Sequence, residues 1–458
     1  VADKVQSYAA GFLEGVLTAK RIAQHKINCW SIFFQKTAYD PMAQFFKDQY
    51  TWLKSEVNKN SQDPYWKHVS FVLAQLEGLS AGYNSVSSSS MSLVDMYILG
   101  SWGDMLDLVN VVNKKERPDF DSMTDHELSR YMGLNGHCSA LIKVTGDLSA
   151  MFSGHTAWWT YSFMLRIMKH YDLPLNDPYT SSNQVSFSSY PAALASVDDF
   201  YITNSGLNVI ETSLAVVNMS IYDVITTKSI LSWMRVMVAN RMANNGKQWV
   251  DVFSKYNSGT YNNQWMVVDY KLFEPNAPLK DNLLWIAEQI PGYIQSADKT
   301  DVLRFGYWPS YNIPFFPEVR ARIGWDSLVT RMPHMAYDFY PRANIFRRDQ
   351  SKVQELNDIQ KILRYNNWQK DSYAMGDPGN QISSRFDLEP TKPDCMGGYD
   401  SKAVSHQTIR DMTIMAQSGP THDLQPVFSW ANSPACASNS RVGIPDVMNF
   451  GWIEFARV

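Results

Sequence analysis

Cys138 and His155 are the residues whose types and spacing first suggest chemistry. "CSALIKV" (138–144) alternates, so that Cys138, Ala140, Ile142 and Val144 share one face of a strand. "LSAMFSGH" (148–155) follows directly after Gly146-Asp147. Gly at the first central position of a two-residue loop predicts a type II′ hairpin, with Thr145 paired to Leu148. Counted back from that loop, Cys138 stands directly opposite His155, and such partners keep their Cβ atoms about 4.5–5.5 Å apart on one face. A bulge would break the count. An imidazole beside a thiol stabilises the thiolate, which is how a cysteine nucleophile is prepared. The same spacing suits a buried free cysteine, with His155 a satisfied polar neighbour of Trp158 and Trp159. Spacing alone leaves both readings standing.

Other segments carry more polar chemistry than an ordinary core. "YNSGTYNNQW" (256–265) sets Asn257, Asn262, Asn263 and Gln264 around Gly259. Side-chain amides stabilise developing negative charge without titrating, although an Asn/Gly-rich turn has the same composition. "PRANIFRRDQ" (341–350) offers Arg342, Arg347 and Arg348 to a carboxylate or phosphate, or simply to a solvated face. "SFSSYP" and "DDFYITNSGL" bring Ser189, Asp198 and Asp199; acidic residues at a strand start are commonly caps. "WPSYNIPFF" (308–316) is an aromatic loop suited to line a pocket or cover the core. The four cysteines, Cys29, Cys138, Cys395 and Cys436, include no CxxC pair. Neither a disulfide scaffold nor a zinc pattern is indicated, and no metal or cofactor is expected. Asn218-Met219-Ser220 is a glycosylation acceptor if the chain enters the secretory route.

The elements that must position these residues change in texture at the cysteine. Before it, "VQSYAAGFLEGVLTAKRIAQH", "PMAQFFKDQYTWLKSEV" and "PYWKHVSFVLAQLEGLSAGY" repeat apolar residues at helical spacing, and Asp63-Pro64 opens the third. "NSVSSSSMS" (84–92) reads as a surface loop, 91–112 as another helix, and charged 113–127 as solvated. After it come strand patterns, "VSFSSY", "DFYIT", "LNVIETSLAVV", "QWMVVDYKLF" and "LLWIAEQI". Helices are predicted over 161–171, over 229–256 as one long element, and in "SKVQELNDIQKILRYNN". Strands in runs and helices in runs predict an α+β layered fold with a helical N-terminal part laid against it.

Composition narrows the classes. In 458 residues, 45% hydrophobic and 13% aromatic residues argue for a packed globular protein. A net charge of −4 and no basic run give no footprint for nucleic acid. No apolar stretch approaches the roughly 20 residues that span a bilayer. A start at Val1 without a signal-peptide pattern fits a leader already removed.

Taken together, "NGHCSALIKV", "SGHTAWWTYSFMLRIMKHY", "SFSSYPAAL", "DDFYITNSGL", "FSKYNSGTYNNQWMVVDYK", "EQIPGY", "GYWPSYNIP", "PRANIFRRDQ" and "RYNN" resemble the phospholipase B-like family, in that family's order. The resemblance runs from "VQSYAAGFLEG" to "SGPTHDLQPVFSW" near residue 430. The start lacks the N-terminal strand-forming segment that the family implies. The family resembles N-terminal-nucleophile hydrolases, which implies an αββα sandwich and self-cleavage between His137 and Cys138. Residues 1–137 would then form a helical fragment ending in a processing linker (about 113–137), and 138–458 the catalytic region, with the two held non-covalently. The freed α-amino group, of reference pKa about 7.7–8.0, would serve Cys138 as base. By the same resemblance His155 and Asn263 are catalytic, Asn263 as an oxyanion donor. Trp158, Ser189, Asp198, Asn262 and Arg348 occupy supporting or substrate-binding positions. The resemblance also implies a lysosomal or secreted glycoprotein, modified at Asn218, with a Cys395–Cys436 disulfide as one option beside fully reduced cysteines.

The expected function is therefore acyl hydrolysis of phospholipid or related lipid esters. A linear N-acyl amide substrate is an alternative, because both reactions pass through a tetrahedral intermediate. A non-catalytic lipid-binding protein on the same fold is a third reading. A papain-like arrangement fits poorly, because its cysteine should open a helix, whereas "SALIKV" reads as a strand. A lipid or N-acyl substrate is the expected partner, and a homo-oligomer is left open.

Overall fold

The computed structural model describes residues 2–35 and 37–456. Its fold is α+β and rests on two antiparallel sheets. One orders the strands Tyr307–Ser310, Ser139–Val144, Met151–Thr160, Met396–Ser405, Ile414–Ser418 and Ile453–Phe455. The other runs in chain order through Ile167–Asp172, Gln184–Ser189, Phe200–Thr203, Leu207–Ser213, Asn263–Asp269, Leu284–Ile290 and Tyr293–Asp298. Ser153 of the first sheet bonds Asn208 of the second (2.5 Å), and Ser310 bonds Thr212 (2.6 Å), so the sheets meet face to face. Helix Leu356–Leu363 packs on the Ser139, Met151 and Met396 strands, and helix Gly246–Phe253 on the Asn263 and Leu284 strands. The layers are thus helix, sheet, sheet, helix.

The three N-terminal helices form where periodicity places them, Asp3–Phe33, Tyr39–Lys59 and Pro64–Val86. The Asp63 carboxylate accepts the Trp66 N–H (3.1 Å) and, with Pro64 in the first turn, starts the third. The first and third helices touch backbone to backbone through paired glycines. A Cβ at Gly11 would lie 1.9 Å from Gln75 O, and one at Gly82 2.0 Å from Phe12 O. The third helix then packs on Ser232–Met242, which joins the N-terminal part to the sandwich. Cys395 and Cys436 are bonded (S–S 2.07 Å), both on the same side of residue 138 in sequence.

Four expectations change. Residues 161–171 are not a helix: a short 3-10 turn, Tyr161–Phe163, leads into the strand Ile167–Asp172, paired with Gln184–Ser189. A short apolar run fits either period, and sheet pairing decided it. The helix over 91–112 breaks at Ser101 into Leu93–Gly100 and Trp102–Val112. The long helix over 229–256 is two, Ser232–Met242 and Gly246–Phe253, because Asn245 caps the second by accepting the Gln248 N–H (2.9 Å). The hairpin loop is four residues, not two. Asp147 accepts the Ser149 N–H (3.0 Å), Leu148 takes φ 61°, and the loop closes where the Thr145 N–H donates to the Ala150 carbonyl (3.0 Å).

Candidate active site

The longer hairpin loop slides the register by two residues. His155 therefore faces Ala140, not Cys138. Because strand side chains repeat every two residues, an even slip keeps every residue on its face. His155 consequently stays on the side toward which Cys138 points, one pair along. The Cys138 sulfur, a His155 ring nitrogen and a Glu211 carboxylate oxygen all lie within 4.8 Å of one another. All three residues are buried, with Cys138 2% exposed and the other two 0%.

Cys138 itself has φ 80°. Left-handed backbone at a residue with a Cβ costs on the order of 1–3 kcal/mol and persists only where neighbours enforce it. Those neighbours are visible. The His137 N–H donates to Ser213 Oγ (2.9 Å), and the His137 carbonyl accepts from Asn312 Nδ2, the Ser213 N–H (3.3 Å) and Ser213 Oγ (3.3 Å). On the other side, Arg342 Nη1 donates to the Cys138 carbonyl (2.6 Å) and Ser139 Oγ (3.0 Å). The guanidinium lies over the Trp158 ring, 4.3 Å from its centroid.

Charge states follow from burial. The Cys138 thiol is pushed well up, first by desolvation and then by Glu211 at 3.9 Å. The Glu211 carboxyl is also pushed well up, by desolvation and then by Asp199, while Tyr261 donates to its Oε1 (2.9 Å). The His155 ring is held well below its ordinary value, by desolvation and then by Lys402 and Arg166. A hydrogen bond with the Glu211 backbone biases the ring upward against these effects. Burial thus disfavours the charged form of all three groups. Thiol, imidazole and carboxylate are also zinc-type donors, but the Lys402 and Arg166 charges oppose a cation there.

Comparison with known proteins matches a phospholipase B family model across residues 1–455. The chain belongs to the phospholipase B family. "Phospholipase B-like protein B" of Dictyostelium discoideum is 40% identical, over 100% of this chain and 81% of its own length. Human "Phospholipase B-like 1" is 40% identical over 99% of this chain and 81% of its own. "Phospholipase B" of Crotalus adamanteus is 38% identical over 100% and 84%. These names are those of a hydrolase family.

The remaining sequence-predicted residues fall into two groups. Asn263 opens its strand opposite Ser213, fully buried, with neither amide atom hydrogen-bonded. Its amide therefore stands across the strand pair from Ser213, whose N–H and Oγ contact the His137 carbonyl. Trp158 stacks under Arg342 and donates its Nε1–H to the Ile382 carbonyl (3.1 Å). Asp198 reaches His155 at one remove: it pairs with Lys402 (3.2 Å), which stands opposite His155, and with Arg166 (2.8 Å). The others are committed elsewhere. Ser189 Oγ donates to the Ala195 carbonyl (2.7 Å) and ties down the turn before Asp198. Asn262 donates its amide to the Gly259 carbonyl (2.9 Å) within its own loop. Arg348 is clamped by Asp349 (2.6 Å) and Asp371 (2.9 Å). Asn218 is exposed and caps the turn Met219–Val224.

Sequence reasoning missed Glu211, Ser213 and Asn312, and did not separate Arg342 from its neighbours. Glu211 had a legible signal, a carboxylate inside the apolar strand "LNVIETS". Asn312 lay within an aromatic loop and offered none. A cavity of about 390 Å³ opens beside His137 and Ser213, lined also by Tyr261 and Asn262 and walled by Glu116, Pro118 and Tyr131 of the predicted linker.

Proposed function

We propose that the chain is a self-activating cysteine hydrolase of acyl bonds. The supporting observation is the compact Cys138–His155–Glu211 group behind a backbone held at φ 80°. In the first reaction the Cys138 sulfur attacks the His137 carbonyl and yields its proton to Glu211. The peptide bond becomes a thioester and frees the Cys138 α-amine, and water then releases a His137 carboxylate and the thiol. In turnover, that α-amine takes the thiol proton and the sulfur attacks a substrate carbonyl. The Asn263 amide donates to the oxyanion, His155 presents a neutral ring to the sulfur, and water hydrolyses the acyl-enzyme.

The substrate class is a phospholipid or related lipid ester, the bond for which the relatives are named. Residues 1–137 and 138–458 remain associated through buried helix packing, and trimming of 113–137 removes one wall of the 390 Å³ cavity. The Cys395–Cys436 bond and the exposed Asn218 sequon suit a lysosomal or secreted protein.

The test is intact mass and N-terminal sequencing of wild type and Cys138→Ala, followed by turnover on lipid esters and N-acyl amides. A wild-type fragment starting at Cys138, an uncut variant and ester turnover are expected. Cleavage that persists in Cys138→Ala would rule out self-processing, and turnover confined to amides would reassign the substrate.

A further inference from the structure

The hydrogen bonds at the scissile carbonyl show more than packing. We infer that Asn312 and Ser213, with Arg342 behind them, form an oxyanion hole for the His137 carbonyl that serves self-cleavage and is distinct from the Asn263 donor. The inference rests on the proposed self-processing and assigns its catalytic groups.

Three donors converge on one peptide oxygen: Asn312 Nδ2, the Ser213 N–H (3.3 Å) and Ser213 Oγ (3.3 Å). A carbonyl oxygen offers two lone pairs, whereas the alkoxide formed by thiol attack offers three. The donor set therefore matches the tetrahedral state better than the ground state, which is the requirement for lowering a barrier. Asn312 is pinned for this duty. Its Nδ2 also donates to the Ser213 carbonyl (2.8 Å), and its Oδ1 accepts from Arg342 Nη2 (2.5 Å). Asn312, at φ 73°, and Cys138, at φ 80°, both hold left-handed backbone.

Arg342 explains the electrostatics. It is 1% exposed, and each acceptor it reaches, the Cys138 and Tyr311 carbonyls, Ser139 Oγ and Asn312 Oδ1, is neutral. A buried cation bonded only to neutral acceptors is expensive unless a negative charge develops beside it. The oxyanion on His137 is that charge, reached through the Asn312 amide that Arg342 polarises. The step balances: the sulfur–carbon bond forms, the C=O pair moves to oxygen, and collapse expels the Cys138 nitrogen as an amine carrying the proton held by Glu211.

The experiment follows conversion of the full chain to its two fragments by pulse labelling and intact mass, at pH 4.5 and 7.5. The chains compared are wild type, Cys138→Ala, Ser213→Ala, Asn312→Ala and Asn312→Asp. Loss of one oxyanion donor costs about 10²–10³ in rate, so Asn312→Ala is expected to process at least tenfold more slowly and Ser213→Ala to be measurably slower. Asn312→Asp is expected to be slower still at both pH values, because Arg342 beside it keeps its carboxylate ionised and that charge opposes the oxyanion. A merely structural Asn312 would not make the near-isosteric Asp variant slower than the Ala variant. Wild-type rates in Asn312→Ala and Ser213→Ala, or an Asp variant indistinguishable from the Ala variant at both pH values, would overturn the inference. If Asn312→Ala fails to fold, Ser213→Ala, which removes one oxygen, decides it. Cleavage of Cys138→Ala would instead strike the self-processing reading itself.

Discussion

The Cys138 sulfur lies 3.9 Å from Glu211 Oε1, and both groups are buried. Burial raises both groups, so the ionised form of Glu211 is a strong base beside the thiol, able to take its proton and return it to a leaving group. Glu211→Gln keeps the size and removes that capacity. Loss of a general acid–base costs typically ~10²–10⁴-fold. We expect fragment formation to slow by at least that lower figure, measured by intact mass against time. Processing at the wild-type rate would remove Glu211 from the mechanism.

Asn263 pairs across the sheet with Ser213, which contacts the His137 carbonyl, and its buried amide has no hydrogen-bond partner among the described residues. For the matured enzyme, Asn263→Ala should lower kcat by about 10²–10³ with KM little changed, because the donor is used only in the transition state. Steady-state kinetics on a lipid ester tests this, and a rise in KM alone would mark Asn263 as a binding group.

Burial sets an acidic stability optimum. Burial raises Asp104 and Asp107 to about 6 and Glu288 to about 7, so each keeps a proton in the folded chain that the unfolded chain sheds above about pH 4. The folded state then binds more protons, and stability falls as pH rises through that window. Burial lowers His25 and His137 to about 3 and His68 to about 4, so the unfolded state binds more protons below about pH 6.5 and stability falls as pH drops. The two sets oppose each other between about pH 4 and 6.5 and act alone outside it. Thermal unfolding should show a broad maximum there, with Glu288→Gln flattening the alkaline decline. A Tm still climbing from pH 7 to 8 would contradict this.

The paired glycines make the first and third helices a tight unit. Gly82→Val places its Cβ 2.0 Å from the Phe12 carbonyl oxygen, backbone that cannot yield without moving a whole helix. Overpacking of this kind costs about 1–3 kcal/mol. A lowered Tm in a calorimetric scan is expected, and an unchanged Tm would show that the helices separate freely.

The legible parts of this chain are those where one period dominates. The Asp63-capped helix and the Asn263 strand form where their patterns place them. The hairpin was found, but its loop length depended on Asp147 bonding the Ser149 backbone, a choice between two local geometries that composition does not settle. Residues 161–171 became a strand because Gln184–Ser189 was there to pair with. Within the site, Cys138 and His155 stood out by type and spacing, and Asn263 by the family resemblance. Ser189, Asn262 and Arg348 stood out equally, yet bond elsewhere.

By itself, the sequence determined the family, the α+β class, the residue at which helices give way to strands, and the face shared by Cys138 and His155. These depend on local period and survive a register slip of two. Tertiary structure alone decided that Glu211, Ser213, Asn312 and Arg342 gather at the His137–Cys138 bond. Those residues lie about 70 to 200 positions further along the chain. Only the stacking of two sheets, with strand Tyr307–Ser310 beside strand Ser139–Val144, brings such distant groups within hydrogen-bonding reach.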